Sequence, residues 1–232
     1  MIIVITGASK GLGKAMAKQF AGAGNTLLLN ARNEIGLNKT KNELSKEFPQ
    51  SSFHSFVADL SVKEQTQSFA EWCLQFGTTD ILINNAGQFL PGSVHNEEDG
   101  VLEKMMETNV YSAYYLTRAL LPKMMNNKNG HIFNICSIAS IAAYANGGSY
   151  SISKFAMLGF SKNLREELKP YQIKVTAVLP GAAYTDSWIG SGVDEKRIMQ
   201  AEDVAKMVYA AAQLSPQACV EEILMRPQLG DL

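Results

Sequence analysis

Short apolar, β-branched runs alternate with longer segments of helical periodicity, and this alternation constrains the fold of the 232-residue chain more than any other feature. Repeated strand–helix units predict parallel strands joined by right-handed crossovers, with helices on both faces of the sheet. The strand candidates are residues 2–6, 26–30, 52–57, 81–84, 131–136, 174–179 and 222–225, and the helix candidates are 12–23, 34–48, 63–76, 99–125, 149–168 and 201–214. We therefore expect an α/β fold built on one doubly wound, parallel seven-stranded sheet.

Composition and charge exclude several classes of protein. The chain carries 21 Lys and Arg against 22 Asp and Glu, and this balance provides no positive field for a nucleic-acid backbone. No apolar run approaches the roughly 18 residues that a membrane span requires, and the apolar run after Met1 is too short for a signal peptide. Because linkers, repeats and low-complexity tracts are absent, we expect residues 1–232 to form a single domain of a cytoplasmic protein.

The cysteines and histidines give no pattern of a disulfide framework or a metal site. Cys73, Cys136 and Cys219 lie far apart without a CxxC pair, and the three histidines are equally scattered. We expect reduced thiols and no bound metal.

A glycine-rich turn follows the first predicted strand, with the sequence Thr6-Gly7-Ala8-Ser9-Lys10-Gly11-Leu12-Gly13. Glycines let the backbone turn tightly and approach a phosphate, and the helix that follows presents unpaired N–H groups to the anion. The spacing is GxxxGxG rather than the GxGxxG of the general dinucleotide fingerprint, and a glycine turn alone is weak evidence. Because this turn joins a first strand to its helix, we interpret it as the phosphate loop of a dinucleotide site.

The end of the second strand indicates which dinucleotide is bound. A protein selective for NAD places Asp or Glu there, about 20 residues past the loop, to bond the ribose 2′-hydroxyl. This chain has Asn30-Ala31-Arg32 instead, and Arg32 can pair with a 2′-phosphate, with Lys10 as a second cation. Glu34 lies close, but it fits better as a first-turn residue of a helix capped by Asn33. The sequence favours NADP(H) over NAD(H).

Polar residues at other predicted strand ends complete a candidate site. Tyr150 and Lys154 have the i,i+4 spacing that places two side chains on one helix face, and Ser137 ends the apolar strand before them. Asp59-Leu60 and Asn84–Gly87 end two further strands, although each is also compatible with an ordinary turn. Ligands of parallel sheets bind at the carboxyl ends of strands, so these groups are expected to converge.

With these motifs in this order, the sequence resembles the short-chain dehydrogenases/reductases over essentially its whole length. The resemblance implies a Rossmann-type fold and a catalytic tetrad of Asn109, Ser137, Tyr150 and Lys154. It also implies that Asp59 meets the adenine and that residues 180–185 meet the nicotinamide side. Ala183 departs from the usual Val or Ile, with little consequence because only its backbone N–H is expected to matter. The candidate cofactor-binding residues are Gly7, Ser9, Lys10, Gly11, Leu12, Gly13, Arg32, Asp59, Leu60, Asn85, Ala86, Gly87, Tyr150, Lys154, Pro180, Gly181, Ala183 and Thr185.

The chemistry of carbonyl reduction fits the four candidate catalytic residues. Hydride must reach one face of the carbon while Tyr150 supplies a proton to the oxygen, whose developing charge Ser137 stabilises. A phenol with a pKa of ~10 is a poor base for the reverse step, so we expect the Lys154 ammonium to lower the pKa of Tyr150 towards about 7. Asn109 would position a water between Lys154 and solvent. From the residues alone, a solvent-facing Asn inside a helix is an equal alternative.

Residues 186–200 have the composition of a mobile substrate lid, with Gly190 and Gly192 beside Trp188 and Ile189, although a static surface loop is the alternative. With this segment, four side chains indicate a mostly apolar pocket for an uncharged carbonyl compound: Ile138, Ile141, Tyr144 and Tyr184.

Three functions are compatible with the sequence. The first is an NADP(H)-dependent carbonyl or secondary-alcohol oxidoreductase. A narrower version is a 3-oxoacyl-carrier-protein reductase, which the absence of a Lys/Arg cluster for an acidic carrier disfavours. A different class is a non-catalytic NADP-binding sensor or scaffold, which the presence of all four tetrad residues disfavours.

The helices 99–125 and 149–168 carry many aromatic residues, among them Tyr111, Tyr114, Tyr115, Phe155 and Phe160. The resemblance implies that these helices pair across a two-fold axis in a homodimer or homotetramer.

Overall fold

Nine strands are present in the computed structural model, which describes residues 1–185 and 192–231. They are β1 Ile2–Ile5, β2 Thr26–Ala31, β3 Ser52–Val57, β4 Ile81–Asn84, β5 Gly130–Ile135, β6 Ile173–Pro180, β7 Ala183–Tyr184, β8 Met199–Gln200 and β9 Glu222–Met225. Seven of them form one sheet in the order β3-β2-β1-β4-β5-β6-β9, in which every neighbouring pair is parallel. This confirms the predicted sheet. The sequence pattern missed the two-residue strands β7 and β8, which pair with each other in a second small sheet.

Helices fill the crossovers between the strands of the main sheet. Their bounds are α1 Gly11–Ala21, α2 Glu34–Glu47, α3 Lys63–Leu74, α4 Val101–Met106, α5 Ser112–Asn127, α6 Gly148–Leu168 and α7 Ala201–Ala212. The expectation of one continuous helix over residues 99–125 is wrong, because a π-helical segment, Glu107–Tyr111, joins α4 to α5. Such segments insert an extra residue into a turn and shift the side chains that follow.

The apolar run of β1 explains why both faces of the sheet are covered. Successive side chains of a strand point to opposite faces, so a strand between two helical layers must be apolar throughout. Ile3 and Ile5 pack with residues of α1, α2 and α7. Val4 packs with residues of α3, α5 and α6 on the other face. All three side chains are fully buried.

The order of strands reverses between β1 and β4. The chain builds outward from β1 through β2 and β3, then returns to place β4 on the other side of β1. The helices that follow β1 and β4 therefore lie on opposite faces of the sheet, and this leaves a crevice at its carboxyl edge, where open α/β sheets bind ligands. Within residues 1–185 and 192–231, no helix is long and apolar enough to cross a membrane.

Candidate active site

The three glycines of the turn after β1 are required for two different reasons. Gly7 and Gly11 have φ angles of +63° and +54°, a left-handed conformation that side chains with a Cβ rarely adopt. Gly13 is required by proximity, because a Cβ there would lie 2.2 Å from the carbonyl oxygen of Gly7 and 2.6 Å from Nδ2 of Asn85. The GxxxGxG spacing thus follows from two left-handed backbone conformations, at Gly7 and Gly11, and from one close approach, at Gly13.

Hydrogen bonds join the glycine turn to the segment after β4. The Thr6 hydroxyl oxygen accepts from the backbone N–H groups of Asn85, at 2.9 Å, and Ala86, at 2.8 Å. In return, Nδ2 of Asn85 donates to the carbonyl oxygens of Thr6, at 2.9 Å, and Gly7, at 3.1 Å. These bonds fix the two walls of the crevice relative to each other. Sequence reasoning quoted Thr6 within the motif but gave it no role.

The glycine turn has the shape of a phosphate cradle. The helix α1 begins at Gly11 with no acidic residue in its first turn and no side-chain cap, so side chains leave its first N–H groups open to an anion. Opposite it, Thr185 lies so close that a Cβ at Gly11 would sit 3.2 Å from Cγ2 of Thr185. The structure therefore brings together Gly7, Gly11, Gly13 and Thr185, and these residues could hold the pyrophosphate of a dinucleotide.

The end of β2 places a cation beside the carboxylate that follows β3. The backbone N–H of Ala8 donates to the carbonyl oxygen of Asn30 at 2.8 Å, which holds the glycine turn against the end of β2. The guanidinium of Arg32 lies 3.6 Å from the carboxylate of Asp59, and its side chain is 56% exposed. Burial raises the pKa of Asp59, but hydrogen bonds from Ser61 and the charge of Arg32 outweigh this and hold the pKa below its usual value. Leu60 is buried.

Ser137 and Tyr150 meet at the end of β5. Ser137 caps the short 3₁₀ turn Ile138–Ser140, where its hydroxyl oxygen accepts from the N–H of Ala139 at 3.1 Å. The Ser137 hydroxyl also lies close enough to the Tyr150 phenol to lower the pKa of that phenol. Burial raises the pKa of the Tyr150 phenol above its usual value, and the Ser137 hydroxyl offsets only part of that rise. The phenol is therefore protonated at neutral pH.

Lys154 lies beneath Tyr150 without reaching its oxygen. The ammonium is buried and donates to the carbonyl oxygen of Ile135 at 2.9 Å, while Nζ lies 5.7 Å from the centroid of the Tyr150 ring. Burial lowers the pKa of Lys154. The expectation that this lysine lowers the pKa of Tyr150 is wrong for the described structure, because burial of the phenol dominates.

Asn109 lies in the π-helical segment and turns into the protein. Only 1% of its surface is exposed, which excludes the solvent-facing alternative. Its Oδ1 accepts from the backbone N–H of Gln88 at 2.8 Å, and its Nδ2 donates to the Gln88 carbonyl at 3.0 Å and to the Ser153 hydroxyl at 2.9 Å. Ser153 in turn donates to the Tyr150 carbonyl at 2.7 Å. Sequence reasoning missed Gln88 and Ser153.

Gly87 lets Asn109 and Lys154 approach the segment after β4. A Cβ at Gly87 would lie 3.2 Å from Oδ1 of Asn109 and 3.7 Å from Nζ of Lys154. The structure thus brings together the four residues of the candidate tetrad and the neighbouring cofactor candidate Gly87. This agrees with the expectation that polar groups converge at the carboxyl ends of β4 and β5.

A loop after β4 is fastened to the first turn of α6. The Glu97 carboxylate accepts from the backbone N–H of Ser149 at 2.9 Å and from the Ser149 hydroxyl. Gly92 and Gly148 make room for it, since a Cβ at either position would collide with the Glu97 side chain. No feature of the sequence distinguishes Glu97 from its acidic neighbours, and sequence reasoning missed it.

The segment after β6 forms the remaining wall. The N–H of Gly181, which follows Pro180, donates to the carbonyl oxygen of Met225 at 2.7 Å, and Ala183 belongs to β7. Of the predicted lid, residues 186–191, including Trp188, Ile189 and Gly190, lie outside the described residues. Residues 192–200 contain a 3₁₀ turn and β8, and Arg197 donates to the carbonyl oxygens of Leu229, Gly230 and Asp231. The lid stays a prediction.

The three cysteines form no disulfide, and burial raises the pKa of the Cys136 thiol beside Ser137. No group of three or more His, Cys, Asp or Glu side chains that could hold a metal ion occurs in residues 1–185 and 192–231.

A doubly wound sheet that carries a glycine turn after its first strand, and a serine, a tyrosine and a buried lysine at its carboxyl edge, is typical of one class of oxidoreductases. The family model described as short chain dehydrogenase matches residues 1–196, and the chain belongs to this family of oxidoreductases.

Its similarity to individual members extends over nearly the whole chain. It is 33% identical over 244 residues to a sepiapterin reductase of Chlorobaculum tepidum, with 100% of this chain and 98% of that protein covered. A metagenomic short-chain oxidoreductase in complex with NADP is 30% identical with a TM-score of 0.86, and the match covers 98% of this chain and 97% of that one. The L-sorbose reductase of Gluconobacter frateurii, complexed with NADPH and L-sorbose, is 26% identical with a TM-score of 0.89, over 97% and 94% of the two chains.

Proposed function

We propose that the protein is an NADP(H)-dependent oxidoreductase that transfers a hydride between the nicotinamide and a carbonyl or secondary-alcohol carbon, with Tyr150 as general acid and base. The observation that carries the proposal is the grouping of Ser137, Tyr150 and the buried Lys154 at the carboxyl end of β5, where Lys154 donates to the Ile135 carbonyl and its Nζ lies 5.7 Å from the centroid of the Tyr150 ring. The segment after β4 links this group to the glycine turn, because Gly87 lies against Lys154 and Asn85 donates to the carbonyl oxygens of Thr6 and Gly7. NADPH, when bound, supplies the hydride.

The residues divide the remaining work of reduction. The Tyr150 phenol donates its proton to the carbonyl oxygen, and its raised pKa keeps it in the protonated form that this step requires. Ser137 donates a hydrogen bond to the same oxygen and stabilises the charge that develops there. Lys154 places its amino group 5.7 Å from the centroid of the Tyr150 ring, and Asn109 holds the Gln88 backbone and, through the Ser153 hydroxyl, the Tyr150 carbonyl. In its protonated form the phenol can donate its proton in reduction, whereas the reverse reaction requires its deprotonated form.

NADPH oxidation monitored against ketones, aldehydes, 3-oxoacyl thioesters and pterins tests this function. We expect turnover of an uncharged carbonyl compound, since exposed apolar side chains, Phe89, Ile141 and Tyr144, belong to the segments around Tyr150. Strong preference for the thioesters would instead support the 3-oxoacyl-carrier-protein reductase. Binding of NADPH without oxidation by any compound would contradict an enzyme and support the sensor or scaffold.

The cofactor is proposed to be NADP(H) rather than NAD(H). The exposed Arg32 guanidinium at the end of β2 supports this preference, as do the NADP and NADPH complexes of the two similar structures. Arg32→Asp should shift the ratio of kcat/KM from NADPH towards NADH by at least about tenfold, because like charges repel a 2′-phosphate. Lys46→Asp makes the same charge change in the last turn of α2 and should leave the ratio unchanged. An unchanged ratio in Arg32→Asp would contradict the assignment.

We further propose that the chain forms a homodimer or homotetramer through α5 and α6. Tyr111, Tyr114 and Phe155 expose 44%, 36% and 47% of their surface, and the ring of Tyr114 packs 5.6 Å from that of Phe160 across the two helices. Contiguous exposed aromatic side chains are typical of protein–protein interfaces. Light scattering at micromolar concentration should give the mass of two or four chains, and a monomer would contradict the proposal.

A further inference from the structure

Phe89 exposes half of its ring directly beside Tyr150. The two ring centroids are 4.9 Å apart and the ring planes meet at 80°, an edge-to-face pair. At 51% exposure, Phe89 is among the large apolar side chains that the described residues leave open to solvent. The sequence motif that ends at Gly87 does not include it, and the proposed mechanism gives it no role.

The position of Phe89 is fixed by the backbone before it. Gln88 accepts a hydrogen bond from Asn109 on its carbonyl oxygen and donates another to Asn109 from its N–H, at 3.0 Å and 2.8 Å. The Gln88 side chain adds a bond to the Thr108 hydroxyl at 3.3 Å. These bonds hold the backbone on both sides of Gln88, and the contact with the Tyr150 ring adds a constraint on the Phe89 side chain itself.

A second aromatic side chain lies near the same phenol. Tyr144 exposes 47% of its surface. It lines one pocket together with Ser151 and Ile152, the two residues that follow Tyr150 on α6, and burial raises the pKa of its phenol. Tyr150 is therefore accompanied by two half-exposed aromatic side chains whose faces can receive a flat apolar group.

We propose that Phe89 is a specificity-determining residue, an aromatic wall that favours substrates with a flat aromatic group on the carbonyl carbon. The inference rests on the proposed carbonyl reduction at Tyr150. A substrate whose carbonyl oxygen meets the Tyr150 phenol places the group on its carbonyl carbon within reach of the adjacent Phe89 ring. Aromatic pairs contribute about 0.5–1.5 kcal/mol beyond apolar burial, which corresponds to a preference of about two- to twelvefold.

Acetophenone and cyclohexyl methyl ketone provide a matched pair of probes, because they share a carbon skeleton and differ in whether the ring is flat and aromatic. The measurement is the ratio of their kcat/KM values with NADPH in the wild type, Phe89→Leu and Phe89→Tyr. Leu keeps apolar volume without the ring, and Tyr restores the ring. Since the ratio is taken within each variant, a general loss of Tyr150 orientation cancels.

We expect the wild type to prefer acetophenone, Phe89→Leu to lower the ratio by about two- to twelvefold, mainly through the KM of acetophenone, and Phe89→Tyr to restore it. A wild type without this preference, or an unchanged ratio in Phe89→Leu, overturns the role of Phe89 while carbonyl reduction stands. If the enzyme reduces other carbonyl compounds but neither of these two ketones, the role of Phe89 is likewise overturned while carbonyl reduction stands. Failure of every carbonyl compound to oxidise NADPH overturns the proposed function as well.

Discussion

Replacement of Gly13 by Ala tests whether the cofactor crevice depends on the close approach of two backbone segments. The added Cβ would lie 2.2 Å from the Gly7 carbonyl oxygen and 2.6 Å from Nδ2 of Asn85. A relaxed C···O contact is about 3.3 Å or longer, so the segments must separate by roughly 1 Å. That movement strains or breaks the bonds from Asn85 to the carbonyl oxygens of Thr6 and Gly7.

The expected loss of stability follows from these contacts. Overpacking costs about 1–3 kcal/mol and weakening of the Asn85 bonds about 1 kcal/mol more, while Ala gains at most ~1 kcal/mol in helix propensity within α1. The net loss of unfolding free energy is about 1–3 kcal/mol. Gly22→Ala at the end of α1 is the matched control, because its φ is −60° and a Cβ there would meet only the Gln19 carbonyl oxygen, at 3.9 Å, and it should stabilise the protein by up to ~1 kcal/mol.

Urea denaturation followed by circular dichroism measures both changes, and the fluorescence of bound NADPH measures the crevice. Gly13→Ala should lose stability and at least about tenfold in NADPH affinity, since a widened cradle no longer matches the pyrophosphate. Wild-type stability and wild-type affinity in Gly13→Ala would refute the reasoning from close approach.

Two further predictions concern residues outside the proposed cofactor contacts. Burial, with a smaller effect of Lys174, lowers the pKa of His131 to about 3. In the unfolded chain the imidazole binds a proton below its ordinary pKa of about 6.5, whereas in the folded chain it stays neutral down to about pH 3. A fall from pH 8 to pH 5 should therefore destabilise the wild type by about 2 kcal/mol more than His131→Gln. Urea denaturation at both pH values measures this difference. Equal losses would contradict the prediction. Glu97→Ala, which removes both acceptors for Ser149, should destabilise α6 by about 1–2 kcal/mol, whereas Glu98→Ala should stay within about 0.5 kcal/mol in thermal or urea unfolding. Equal effects of the two variants would contradict a stabilising role of the Glu97–Ser149 hydrogen bonds.

The sheet was predictable because its strands are buried on both faces, and continuous apolar runs bounded by turns mark such strands clearly. The predicted bounds of the seven strands agree with the structure to within a residue or so at each end. The strands β7 and β8 were not predictable, because two residues carry no periodicity. The π-helical segment was missed for a different reason: helical periodicity continues through it, and only the tertiary contacts of Asn109 account for the inward position of that residue.

The site was predictable where residue type and strand ends decide the position, as for Ser137, Tyr150 and the glycine turn. It was not predictable where burial decides the chemistry. The direction of the Tyr150 pKa depends on how much protein surrounds the phenol, and Lys154 donates to the Ile135 carbonyl rather than to that phenol. Phe89 lies beyond every motif, and its proximity to Tyr150 follows from the loop after β4 and the first turn of α6, which meet only in the folded chain.

The most direct test of the central assignment is the turnover of Tyr150→Phe with the most reactive carbonyl compound of the panel. The substitution keeps the ring and removes the proton that Tyr150 is proposed to donate. We predict a loss of at least about 100-fold in kcat, with NADPH affinity within about twofold of the wild type, while Tyr171→Phe beyond the end of α6 keeps full activity. Wild-type turnover in Tyr150→Phe would contradict the assignment of Tyr150 as the general acid.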